Sequence, residues 1–111
     1  MAEPLAARAE LDRHVPEREL QRQITDLADL TGWRWFHVYD SRRSPAGFPD
    51  LALVRRGRLI FFEVKSASGR ISRPQAAWLL DLAQVPGVVA MVVRPSDWPR
   101  VERLLQGGSP R

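Results

Sequence analysis

Two apolar runs, "LALV" (Leu51–Val54) and "LIFF" (Leu59–Phe62), flank the tetrapeptide Arg55-Arg56-Gly57-Arg58. Short β-forming runs on either side of a polar, glycine-containing turn fold back on each other as an antiparallel hairpin. The strands are expected over about Asp50–Val54 and Arg58–Lys65. The hairpin also sets where charge falls. Asp50 opens the first strand, while Glu63 and Lys65 sit near the end of the second. Side chains alternate along a strand, so Glu63 and Lys65 share a face with Leu59 and Phe61, and Ile60, Phe62 and Val64 take the other. The turn brings the start of one strand back to the end of the next. Asp50, Glu63 and Lys65 are therefore expected to converge at one end of the sheet.

A strand-end salt bridge, Lys65 to Asp50 or Glu63, would account for such charges without any chemistry. Two carboxylates with nearby oxygens are also what Mg²⁺ takes, since it prefers oxygen ligands and keeps several waters. A bound metal of this kind orients a phosphodiester and acidifies a bound water. A lysine beside it can position or deprotonate that water, or stabilise charge building on phosphorus.

The rest of the chain supplies elements to cover the hairpin. Residues 1–14 read as a loosely held arm. Pro16 suits the start of a helix and Glu17 its first turn. Leu20, Ile24, Leu27 and Thr31 form one stripe, so a helix is expected over Pro16–Thr31. At about 100° per residue Glu17 lies close to that stripe and Glu19 well off it, which makes Glu17 a candidate third carboxylate. "WRWFHVY" (Trp33–Tyr39) has strand character, and the polar "DSRRSPAG" is a loop. Ser72-Arg73-Pro74-Gln75 has the form of a capping box and opens a helix through about Gln84. Val88–Val93 is apolar on both faces, as in a buried parallel strand. Ser96 is a candidate cap for a last helix over about Asp97–Leu105, followed by a tail at 107–111. The expected fold is α/β: a mixed sheet of about four strands flanked by helices, in one domain over 15–106.

Composition narrows the partners. The 111 residues carry a formal charge of +4, with 17 Lys and Arg against 13 Asp and Glu, and no cysteine. Disulfides and thiolate metal sites are excluded, which fits a cytoplasmic location. No apolar run approaches a membrane span of about 20 residues, and the start has no apolar signal core. A pI of 10.9 is compatible with a nucleic-acid partner. Arg42, Arg43 and Ser44 in the first loop, with Arg70 and Arg73 after Lys65, are candidate phosphate contacts. Arg55, Arg56 and Arg58 lie at the far end of the hairpin and read as a solvated turn. The four tryptophans read as core.

Glu17…Gln21, then "GFPD", "EVK", "SRPQAAW" and "VVRPSDW", in that order over about Val15–Leu105, resemble the VRR-NUC branch of the PD-(D/E)xK nuclease superfamily. The resemblance implies a restriction-endonuclease-like αβββαβ core and Mg²⁺- or Mn²⁺-dependent phosphodiester cleavage in DNA. By the same resemblance Asp50, Glu63, the Val64 carbonyl and Glu17 would hold the metal, and Lys65 would be the catalytic lysine. Glu19 replaces Glu17 if the helix register is shifted. Gln75 matches a family glutamine, although its place in the capping box allows a structural role. Small stand-alone members resemble phage and bacterial Holliday-junction resolvases, which implies a homodimer cutting branched DNA. A flap or fork nuclease, a non-catalytic nucleic-acid binder with the same fold, and a structural ion-pair cluster are the alternatives.

Overall fold

The computed structural model describes residues 5–38 and 45–107. In chain order the elements are α1 (Leu5–Asp12), α2 (Glu17–Leu30), β1 (Arg34–His37), β2 (Leu51–Arg55), β3 (Arg58–Val64), α3 (Arg73–Ala83), β4 (Val88–Val93), a short 3-10 turn (Pro95–Asp97) and α4 (Trp98–Leu105). The sheet runs β1-β2-β3-β4. The first two pairings are antiparallel and β3–β4 is parallel. This mixed, helix-flanked sheet is the expected fold class and is compatible with a restriction-endonuclease-like core.

The hairpin closes through Arg56 and Gly57, which both take positive φ (47° and 78°), as in the tight turn whose twist matches its strands. Its register pairs Leu53 with Ile60 and Leu51 with Phe62. Those four, with Val64 and Val93, form one apolar face that receives Leu20, Ile24 and Ala28 of α2 and Val101, Leu104 and Leu105 of α4. Each large aliphatic side chain so buried contributes about 1.5–3 kcal/mol, which pins the register: a slip of one residue would turn the whole set outward. The opposite face carries Asp50, Ala52, Phe61 and Glu63. Here α3 packs on β4, and Phe48 stands edge-on to Phe61 and Trp78, at 5.6 and 5.0 Å between ring centres.

Several expectations change. A helix, α1, forms within the stretch read as an arm. β1 is four residues long, and Trp33 precedes it, buried, with its indole N–H donating to Leu105 O (2.8 Å). Among the described residues β4 is an edge strand with no strand beyond it, and it is mostly half-buried. Ser96 caps nothing. Asp97 instead accepts from the backbone N–H of Arg94 (2.8 Å). Of the tryptophans, Trp33 is core and Trp98 packs against it. Trp35 is 40% exposed, donating to Asp29, and Trp78 belongs to the opposite face.

Arg55 and Arg58 are half-buried and packed, where a solvated turn is expected. Arg55 Nη1 donates to Thr31 O (2.7 Å) and Leu105 O (3.1 Å), at the ends of α2 and α4. Both guanidinium groups lie over the Trp33 ring, at 4.8 and 5.5 Å. Register explains this: Arg55 pairs with Arg58 on the core face.

Candidate active site

The stretch "GFPD" works as a unit. Gly47 has φ of 97°, and a Cβ there would lie 2.5 Å from the Pro74 carbonyl carbon, so the loop can approach the start of α3 only with glycine. Phe48 fills the aromatic cluster and Pro49 is buried. Asp50 then accepts from the Val64 backbone N–H through Oδ2 (2.8 Å). That bond fixes the first carboxylate against the end of β3, between Glu63 and Lys65. Sequence periodicity alone predicts this meeting.

Glu63 is 2% exposed. Its Oε2 accepts from Gln75 Nε2 (3.1 Å) and lies 3.9 Å from Lys65 Nζ. Its Oε1 is buried and receives no hydrogen bond. Burial pushes the carboxyl from its usual 4.5 up to about 8, reinforced by the neighbouring Asp50 charge and by a hydrogen bond with Asp50, and opposed by Lys65. Two ionised carboxylates are both acceptors and can share such a bond only around a proton. Glu17 adds to the rise through its charge. A buried carboxylate with one bare oxygen beside a second carboxylate costs free energy unless a proton or a cation satisfies it.

Gln75 answers both readings offered for it. Its Oε1 accepts from Ser72 N–H (2.8 Å), and its own N–H donates to Ser72 Oγ (3.2 Å), completing the capping box. Its amide nitrogen is left to hold Glu63. One side chain thus ties the start of α3 to the carboxylate.

Lys65 is 15% exposed. The loop that follows is folded tightly over its stem: a Cβ on Gly69 would lie 3.3 Å from Lys65 Cδ. That loop is braced by Arg94, whose Nη1 donates to Ser66 O (2.7 Å). No local pattern in the sequence marks Arg94 for this contact. Its role follows from the parallel pairing of β3 with β4, which places the residue after Val93 beside the residues after Val64. Lys65 N–H donates to Val93 O (2.9 Å) for the same reason.

The structure therefore gathers Asp50, Glu63, Val64, Lys65 and Gln75, with Glu17 at the margin. Among the described residues no group of three or more His, Cys, Asp or Glu side chains is disposed to hold a metal. Glu17, exposed at the first position of α2, does not complete a three-carboxylate set. Asp50 and Glu63 remain, and two carboxylates suffice for a cation that keeps most of its waters. Arg70 and Arg73 are exposed on the loop after Lys65 and at the start of α3. Arg42, Arg43 and Ser44 lie outside the described residues.

Comparison with known families decides the class. Residues 8–95 match the model of the VRR-NUC domain. The chain belongs to the VRR-NUC family. As a PD-(D/E)xK nuclease group, the family assigns this domain a nuclease-type activity, with DNA as substrate. No curated protein and no solved structure matches the chain significantly. No described helix is long and apolar enough to cross a membrane.

Proposed function

We propose that this VRR-NUC domain is a Mg²⁺- or Mn²⁺-dependent endonuclease for branched DNA, resembling a Holliday-junction resolvase and acting as a homodimer. The observation that carries the metal is Glu63: a buried carboxylate with a bare oxygen, against a second carboxylate, is a cation site in its donor chemistry. Asp50 and Glu63 would hold the ion, with the Val64 carbonyl beside them. Bound there, the ion would neutralise the phosphodiester and acidify a water. Asp50 is held in place by its bond from Val64, and Glu63 by the bond from Gln75. Lys65, held by the carboxylate of Glu63 and by the tight loop over its stem, presents an ammonium to the scissile phosphate and the attacking water. Arg70 and Arg73 are exposed for phosphates on either side.

A four-way junction has two-fold symmetry, and a dimer with two such sites would match it. The deciding experiment is cleavage of labelled junction, flap and duplex DNA with Mg²⁺ or Mn²⁺, beside EDTA and Lys65→Ala. Paired nicks across the junction that require metal and Lys65 are the expected result. Preference for the flap would keep the site and replace the resolvase assignment. DNA binding without cutting under either metal would make the domain a binding module.

A further inference from the structure

The sheet face that carries the charged cluster also carries an apolar cleft. From Glu63, the next residue of β3 on that face is Phe61, about 6.7 Å along the strand. Phe61 pairs with Ala52, and Ala52 with Phe36 on the edge strand. These three, with Val38, Phe48 and Trp78, line a cleft of about 440 Å³. Phe36 is 66% exposed, although aromatic and central to its strand. Helix α3 packs on β4, and no described helix covers the β1–β2 side of this face. An apolar cleft with an exposed aromatic at its lip is a binding surface.

Its surroundings select the occupant. On one side the next row of the face holds Asp50 and Glu63, the proposed metal site, and Lys65 stands one row further on. On the other side the next row of the same face is Leu59, Val54 and Arg34, and Arg34 is exposed. Lys65, beyond the two acids, and Arg34 place a cation on each side of the aromatic cleft, as a nucleic-acid strand that offers phosphate, base, phosphate requires. A purely apolar partner would leave these charges unmatched.

We propose that the cleft between Phe36, Phe61 and Trp78 receives an unpaired base of the substrate next to the scissile phosphate. The proposal rests on the nuclease reading and gives it a substrate preference. In a continuous duplex the base must first be pulled from its stack, at a cost of a few kcal/mol. At a branch point, a flap or a single strand it is already free. The domain thereby selects structured DNA without reading sequence.

The test uses the full wild-type chain in EDTA and measures the affinity of labelled single-stranded and four-way-junction DNA carrying one abasic nucleotide at successive positions. Binding weakens about tenfold when the abasic nucleotide falls at the cleft, and little elsewhere. Phe36→Ala causes a similar loss on intact strands and no further loss on that abasic one, while blunt duplex changes by less than about twofold. Tolerance of abasic nucleotides at every position overturns the proposal, with or without a folded variant. So does an equal loss on duplex, or a Phe36→Ala effect confined to self-association, which would assign the cleft to a second copy. The nuclease reading fails separately: abasic sensitivity without metal-dependent cutting removes the enzyme but keeps the cleft, whereas cutting that ignores abasic positions does the reverse.

Discussion

The two ends of the β2–β3 hairpin both bury charge, and they treat it differently. At the turn end Arg55 closes α2 and α4 by donating to Thr31 O and Leu105 O, and stacks with Arg58 on Trp33. Arg55 Nε and Arg58 Nη2 lack acceptors, but a guanidinium is delocalised, weakly hydrated and comfortable against a ring face. Helix C-termini also favour a cation. At the open end Glu63 keeps a bare oxygen beside another acid, and its carboxyl is pushed up to about 8. Carboxylate charge is compact and strongly hydrated, so the same omission costs far more. The turn end is a fastening. The open end is satisfied by a proton or, on the proposed reading, by a cation.

The contrast breaks most visibly in activity. Glu63→Gln and Lys65→Ala are each expected to lower metal-dependent cleavage by about a thousandfold, measured as single-turnover rates on junction DNA. Arg55→Ala should leave that rate within about threefold, after correction for the folded fraction. A comparable loss from Arg55 would mean that the turn end also takes part in the chemistry.

Metal-free stability should move the other way. The raised pKa of Glu63 means that the folded state binds a proton more tightly than the unfolded chain does. Its stability contribution is complete below the ordinary value of 4.5, and it is lost as pH rises towards about 8. At pH 7 the accumulated loss is about 3 kcal/mol. Glu63→Gln carries no such charge, so in EDTA it should be more stable than wild type, by a margin that grows from pH 5 to pH 8 and then levels off. Chemical denaturation across that range measures it. Saturating Mn²⁺ should shrink the margin by stabilising wild type alone. A margin that does not vary with pH would mean that Glu63 is ionised and satisfied in the fold.

Arg55→Ala should cost about 2 kcal/mol, from bonds to two helix-end carbonyls and the stack on Trp33. Unlike the Glu63 effect, this loss should be flat between pH 5 and pH 8, because guanidinium groups keep their charge across that range. Arg55→Lys should recover less than half, because an ammonium cannot reach both carbonyls and cover the ring together.

The difference between the ends also tracks what was legible in sequence. The meeting of Asp50, Glu63 and Lys65 depends only on strand period and turn position, both visible in "GFPDLALVRRGRLIFFEVK". The Ser72–Gln75 capping box is likewise local. Arg55 reads as a solvated turn because its partners, Thr31 and Leu105, lie far away in sequence and come together only when α2 and α4 pack. Arg94 requires the β3–β4 register, which no local pattern contains. The β4 run appears fully buried because apolar composition does not distinguish a central strand from an edge covered by a helix. Glu17 is placed near the site by helix periodicity, but its exposure at the first helical position depends on where the helix begins. α1 lies in a stretch without a clear stripe.

Gln75 sharpens the comparison with the smallest effect, because it is fastening and site at once. Its carbonyl oxygen serves the cap and its amide N–H serves Glu63. Gln75→Ala loses both, at about 1 kcal/mol of stability for the cap and about tenfold in cleavage rate. Gln75→Glu separates them. A glutamate can still accept from Ser72 N–H, as in an ordinary capping box, but once ionised it has no proton to donate to Glu63. The cap's share of the stability should therefore return with Glu, offset by repulsion from Glu63 in EDTA, while the rate stays low, the loss falling on kcat rather than KM. If Gln75→Glu restores rate and stability together, Gln75 acts on cleavage only by keeping α3 in place. The Glu63 carboxylate would then be positioned by β3 and Asp50 alone.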